Sequence, residues 1–254
     1  MSSCQTDAFS YNAKETDALY KHIPLYGCSG FNRNVEKEKY MIKAVIFDLD
    51  GLLLDTEIVA FKVYEELGNR FNFELTLPEF MQDFCGRPLR RNVAYCNERF
   101  QLPWDLEEAV EEVLRIEKKI LDEGVDVMPG ARELLAFLKE NDYKTAVASS
   151  SARERSMRLL EKHGLVEYFD DFVFGPEVEK GKPNPDIFLK AAEKVGIAPE
   201  NCLVLEDSQA GIQAAYSAGM QVICIPDLKY PTEEYVKIAT AVKESLFDVI
   251  EFLK

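Results

Sequence analysis

No stretch of the sequence approaches the roughly 20 consecutive apolar residues of a membrane span, which leaves no candidate spanning helix. The first residues, MSSCQTDAFSYNAKETD, lack the basic and then apolar run of a secretory signal. Six cysteines (Cys4, Cys28, Cys85, Cys96, Cys202 and Cys224) show no CxxC pairing. A disulfide framework is not expected in a chain of this length, so a reducing cytoplasm is the expected compartment. Cys202 and Cys224 sit in apolar runs and read as small core residues. Basic charge is scarce: 30 Lys and Arg face 45 Asp and Glu, for a net charge of −15 and a pI near 4.7. Phosphate backbones need basic patches, so this balance argues against nucleic acid as a partner. An anionic substrate would then need a local cation, from a metal or from placed Lys and Arg. Histidine is scarcer still. Of the two, His22 offers no catalytic pairing, and His163 reads as a helix C-terminal residue where positive charge is favoured. Nothing resembles a Ser–His–Asp or Cys–His site.

What is present is a 47% hydrophobic chain of 254 residues, enough for one large domain or two modest ones. Its organising stretch is AVIFDLDGLLLDTE, Ala44 to Glu57. An apolar run without alternation, Ala44 to Phe47, predicts a strand buried on both faces of a parallel sheet. Asp48 and Asp50 follow at its carboxyl end, where open α/β sheets place their ligands. Two residues apart, they share a face, and two such charges need a cation or a shared proton. Gly51 then permits a tight turn.

Residues 1–40 are polar and show no sustained period, and they read as an extension of uncertain structure. From Thr56, expected as a helix cap, helical patterns run to about Val127. One ends at Gly68, another spans Pro78 to Phe84, and PLRRNVAYCNERF and DLEEAVEEVLRIEKKILDEG follow. A block of about 70 residues is far longer than a bare loop and reads as a helical domain, residues 58–124, inserted into an α/β domain of residues 41–57 and 125–254. From Met128 strands and helices alternate. Strands are expected at Lys144–Ala148, Phe172–Phe174, Cys202–Leu205 and Gln221–Ile225, with helices at 131–141, 152–164, 187–195, 209–218 and 246–253. This order predicts a doubly wound, Rossmann-like parallel sheet. In it Asp48, Ser149, Lys182 and Asp207 all follow strands and meet at one edge.

Those positions suit phosphoryl chemistry. A carboxylate such as Asp48 can attack phosphorus to give an aspartyl-phosphate, and Asp50 can serve as general acid and then base. Glu206 and Asp207 add carboxylates of the kind that bind Mg²⁺ together with water and phosphate oxygens. Ser149 and Ser150 open a helix, whose free N–H groups favour an anion, and Lys182 supplies a point charge. Taken singly, each has a plain alternative: the serines as helix caps, Lys182 as a solvated residue before Pro183, Asp207 as an N-cap acid.

Together, DLDGLLLDTE, VASSS, GKPNPDIF and VLEDSQAGIQAA, in this order, resemble the haloacid dehalogenase superfamily, in its subgroup of β-phosphoglucomutase-like phosphatases. The match runs from Met41 to about Phe252. The resemblance implies Asp48 as nucleophile and Mg²⁺ ligand, and Asp50 as acid/base with its carbonyl on the metal. It implies Ser149 on the phosphoryl group, Lys182 pairing phosphate with Asp48, and Asp207 on Mg²⁺ with Glu206 beside it. The insert becomes a cap that closes over the site and selects substrates. The expected substrate is a small phosphorylated metabolite, a sugar or polyol phosphate, and the expected state is a monomer. A hexose-phosphate mutase is the alternative. However, Ala60 or a neighbour stands where the mutase has a histidine, and its cap arginine has no clean counterpart, although Arg87, Arg90 and Arg91 lie nearby. A non-catalytic sugar-phosphate binder is the third reading.

Overall fold

The computed structural model describes residues 41–254; the expected extension, 1–40, lies outside them. The strands are β1 (Ala44–Phe47), β2 (Lys144–Ser149), β3 (Asp171–Phe174), β4 (Cys202–Glu206), β5 (Gln221–Cys224) and β6 (Ala241–Val242). They form one sheet in the order β3-β2-β1-β4-β5-β6, parallel throughout. β1 is central, with Ala44 aligned to Lys144 on one side and Cys202 on the other.

Period-2 alternation sorts the strand residues onto two faces. Val45, Phe47, Val147, Leu203, Leu205 and Ile223 belong to one apolar cluster; Ala44, Ile46, Ala146, Ala148, Val204 and Val222 belong to the other. The first face is covered by α5 (Ala131–Glu140), α6 (Arg153–Lys162) and α10 (Phe247–Leu253), through Leu134, Leu138, Leu159, Leu160 and Val249. The second is covered by α7 (Asp186–Val195) and α8 (Gln209–Ser217), through Ile187, Phe188, Ala191, Ile212 and Ala215. Both faces are therefore dry, which is why every β1 residue is apolar and fully buried.

Between β1 and α5 the chain leaves the sheet for four helices: α1 (Thr56–Phe71), α2 (Leu77–Asp83), α3 (Leu89–Phe100) and α4 (Leu106–Glu123). These have an apolar cluster of their own, centred on Tyr64, Phe80 and Phe84, with Val93, Val113 and Ile116. The Tyr64 and Phe84 rings lie 4.7 Å apart between centroids, and Phe80 stacks on Phe84 at 5.6 Å. The outgoing and returning segments run side by side, with Asp55 N–H donating to Asp126 C=O at 3.0 Å and Met128 N–H to Leu53 C=O at 2.9 Å. The architecture is a doubly wound parallel sheet with an inserted helical cap.

Several boundaries differ from the sequence reading. Asp55, not Thr56, precedes the first helical residue, and its side chain makes no capping hydrogen bond. α1 continues through Gly68 to Phe71 and ends at Asn72, whose left-handed conformation Asn tolerates well. α2 opens on a reciprocal capping box between Thr76 and Glu79. β2 and β4 each extend one residue further, to Ser149 and Glu206, and β5 stops at Cys224. α9 (Glu233–Ile238) and the two-residue β6 were not expected, both being short and weakly periodic. His163 does follow α6, but burial first, and then Lys162 and Arg132, lower its pKa and oppose the expected positive charge. Cys202 and Cys224 are buried free thiols. Among the described residues no helix is long and apolar enough to cross a membrane.

Candidate active site

At the carboxyl edge of the sheet, residues at or just after the ends of β1, β2 and β4 and the loop after β3 bring their side chains together. Asp48 follows β1 directly, its N–H donating to Leu205 C=O at 3.0 Å, so the β1–β4 ladder fixes where its carboxylate points. Glu206 is the last residue of β4. Lys182, on the loop after β3, donates from Nζ to Asp48 Oδ1 and, at 2.6 Å, to Glu206 Oε1. The ammonium also lies 4.9 Å from the Phe188 ring centroid. All three groups are nearly sealed from water.

Glu206 is held from its other oxygen. The Ser208 N–H and hydroxyl donate to Oε2 at 2.8 and 2.9 Å, and the same hydroxyl caps α8 by accepting from Gly211 N–H at 3.1 Å. A Cβ at position 211 would fall 1.7 Å from Glu206 Oε1, so only glycine lets α8 begin this close. Gly51 has a parallel role. Its φ is +79°, and a Cβ there would stand 2.6 Å from Asp207 Oδ2.

Asp48, Glu206 and Asp207 each offer a carboxylate oxygen, all within 4.8 Å of one another. One ammonium faces these three acids, and among the described residues no cation pairs with Asp207. Burial is the main reason the Asp48 pKa rises to about 7, against the pull of Lys182, with Glu206 and Asp50 adding to the rise. Asp207 is pushed well above the carboxylate range by burial and then by Glu206 and Asp48. Hard oxygen donors, converging and short of positive charge, are what a small divalent cation such as Mg²⁺ accepts. The donor set therefore fits that ion.

Asp50 is in the opposite electrostatic position. Oδ2 accepts from Ser151 Oγ at 2.7 Å and Ser149 Oγ at 3.4 Å, while Oδ1 accepts from Arg155 at 2.7 Å. Burial alone would raise its pKa, but Arg155 and Ser151 outweigh it and hold the carboxyl below its ordinary value. The Thr56 hydroxyl, buried and without a completed hydrogen bond, adds to the same effect. Two aspartates two residues apart are thus driven in opposite directions.

Ser149 is fully buried, its hydroxyl also accepting from Ser151 N–H at 3.1 Å, whereas Ser150 is exposed. Asp48, Asp50, Ser149, Lys182, Glu206 and Asp207 are brought together; Ser150 contributes backbone, packed against Gly175. Sequence reasoning missed Ser151, Arg155 and Asp227. Ser151 precedes the N-cap of α6 and Arg155 lies in its first turn, so both stand at the helix start that follows the β2 edge. Asp227 lies just beyond β5, at the edge that singled out Asp207; burial raises its pKa to about 8. A cleft of about 200 Å³ opens beside Asp207, between Cys85–Arg87 of the insert and Ser208–Ala210 and Lys229 of the core. Arg87 thus lines a cavity, while Arg90 is engaged by Glu107 on the surface.

The family model for haloacid dehalogenase-like hydrolases matches residues 45–225. The phosphorylated carbohydrates phosphatase of Thermotoga maritima is 35% identical over 182 residues, 72% of this chain and 84% of that protein. Hexitol phosphatase B of Escherichia coli is 29% identical over 73% of this chain and 84% of its own length. Among solved structures, a β-phosphoglucomutase of Clostridium difficile superposes with a TM-score of 0.67 at 27% identity, covering 84% of this chain and 97% of that one. With the geometry at the sheet edge, these likenesses lead to one conclusion: the chain belongs to the haloacid dehalogenase-like hydrolases and is a phosphoric monoester hydrolase among them.

Proposed function

We propose that this chain hydrolyses sugar or polyol phosphates, using Mg²⁺ and an aspartyl-phosphate formed on Asp48. The observation that carries the reading is geometric: the Asp48, Glu206 and Asp207 carboxylates converge at the sheet edge with Lys182 bound to two of them, and Asp50 stands beside Asp48 but outside that group. The relatives that act on phosphorylated carbohydrates and hexitol phosphates support the substrate class.

Asp48, Glu206 and Asp207, with the Asp50 carbonyl, would hold Mg²⁺. When bound, the ion supplies charge neutralisation for the acids and for the phosphoryl oxygens. Lys182 orients the Asp48 carboxylate and offers its remaining proton to a phosphoryl oxygen. Ser149 presents its hydroxyl, and the first N–H groups of the segment leading into α6 face the same anion. Asp48 attacks phosphorus and the ester oxygen leaves, taking its proton from Asp50, which must first gain that proton as its contacts with Arg155 and Ser151 loosen, because those contacts hold the carboxyl ionised. Asp50 then takes a proton from the water that attacks the aspartyl-phosphate, which restores Asp48 and releases phosphate. Uncatalysed monoester hydrolysis is among the slowest reactions known, so fixed charge of this kind must supply most of about 20 kcal/mol.

Asp48→Asn is expected to abolish release of phosphate across a panel of sugar, polyol and nucleoside phosphates. EDTA is expected to do the same, reversibly with Mg²⁺. Full turnover in Asp48→Asn overturns the reading. The structural likeness to β-phosphoglucomutase keeps a hexose-phosphate mutase as the second reading. β-Glucose 1-phosphate with a bisphosphate primer separates the two: glucose 6-phosphate without matching free phosphate establishes the mutase.

A further inference from the structure

The guanidinium of Arg155 is divided between the two parts of the molecule. One terminal nitrogen donates to Asp50 Oδ1 at 2.7 Å and reaches Ser151 Oγ at 3.3 Å. The other terminal nitrogen and Nε both donate to Glu117 Oε1, at 2.8 and 3.1 Å. Arg155 belongs to α6 of the core, Asp50 to the loop after β1, and Glu117 to α4 of the insert. All three side chains are about four-fifths buried, so the pairs are shielded from solvent and salt.

The division has a consequence for Asp50. Arg155 holds Oδ1 and the serines hold Oδ2, so these contacts fix the direction in which the carboxyl can meet a leaving-group oxygen. With Glu117 holding Nε and one terminal nitrogen, Asp50 receives a single nitrogen of the fork. Without Glu117 the planar fork is free to meet Asp50 with two parallel hydrogen bonds, the tighter arrangement. The position of α4 therefore sets how firmly the acid/base carboxylate is held.

We propose that Arg155 is a positioning residue that transmits the placement of the insert, through Glu117, to Asp50. This inference rests on the phosphatase reading and deepens it. Arg155 is the transmitting element because its guanidinium touches both Asp50 and Glu117. Lysine could keep the charge beside Asp50 but, with a single nitrogen, could not place separate nitrogens on Asp50 and on Glu117 as Arg155 does.

The test is a double-mutant cycle in the full chain with Mg²⁺, reading kcat and KM separately on p-nitrophenyl phosphate and on the best sugar phosphate of the panel. Glu117→Gln is expected to lower kcat about tenfold, the size of a coupling between groups in direct contact, with KM changed much less. In an Arg155→Lys background the same substitution is expected to change kcat by less than about twofold, because the bridge is already gone. A kcat loss that is equal in both backgrounds, or a change confined to KM, overturns the proposal. A second readout needs no turnover. In Glu117→Gln, amide hydrogen exchange is expected to change at residues 50–55, on the far side of Arg155, as well as in α4. Exchange altered only in α4 overturns the proposal, whereas an inactive wild-type protein with the exchange change present sinks only the phosphatase reading.

Discussion

At the scale of single residues, the site depends on where side chains are absent as much as on where they are present. Gly51 combines a left-handed φ of +79° with an approach to Asp207 that no Cβ can share. Gly51→Ala is therefore expected to displace Asp207, and a shift of about 1 Å at a reacting centre costs on the order of 10²-fold in rate. The measurement is phosphatase activity as a function of Mg²⁺ concentration, in which the variant should need more ion and reach a lower plateau. Wild-type activation by Mg²⁺ would show that the turn absorbs the methyl group. The same scale explains what could be read in advance. Asp48 and Ser149 were legible because each directly follows an apolar run, and Asp207 because it follows one with only Glu206 between, and strand ends point to one edge. Glu117 was not, since it is one acid among many on an acidic helix and only the fold selects it.

At the scale of elements, the ends of strands are held by side chains as well as by ladders. Asp170, just before β3, accepts from Thr145 N–H at 2.9 Å and from Lys144 at 2.6 Å, tying the starts of β2 and β3 together. Burial alone would raise its pKa, but Lys144 and Thr145 outweigh it and lower it. The folded protein thus binds this proton less tightly than the unfolded chain. The stabilisation is complete above the ordinary carboxylate range and is lost as pH falls through the lowered value. Asp170→Asn is expected to cost about 1 kcal/mol at neutral pH, less than a buried charged hydrogen bond because the side chain is more than a third exposed. Urea unfolding of both proteins checks this, and the difference should shrink as the pH falls below the ordinary carboxylate range. Helices and strands with strong periods were legible from the pattern alone. Their ends were not: at Thr56 the first helical residue was mistaken for the cap, and at Gly68 a residue that often ends helices was carried through by packing of the flanking turns. α9 and β6 are too short for a period to register.

At the scale of the whole molecule, the insert has its own apolar cluster, joined to the sheet domain by two crossing segments at 52–55 and 126–128. Phe80 is essentially fully buried in that cluster. Phe80→Ala is expected to cost about 3–5 kcal/mol, as large-to-small changes in aromatic cores do. Amide exchange should locate the loss in residues 56–123 while β1 and β4 keep their protection; uniform loss would mean that the two clusters unfold as one. The insert was legible as a domain because no loop is that long, and its acidic, helical composition differs from the alternating pattern that follows. Its contacts with the core were not legible, since they join residues far apart in the chain. The interrupted sheet has a further consequence during synthesis. β1 emerges first, yet its neighbours in the sheet begin about 100 and 160 residues later, at Lys144 and Cys202. At roughly 5–20 residues per second, the strand AVIF waits some 5–20 s for its first partner and longer for its second, with both hydrogen-bonding edges bare. The insert, complete before β2 is made, can fold in that interval and stand beside the most adhesive segment of the nascent chain while it waits.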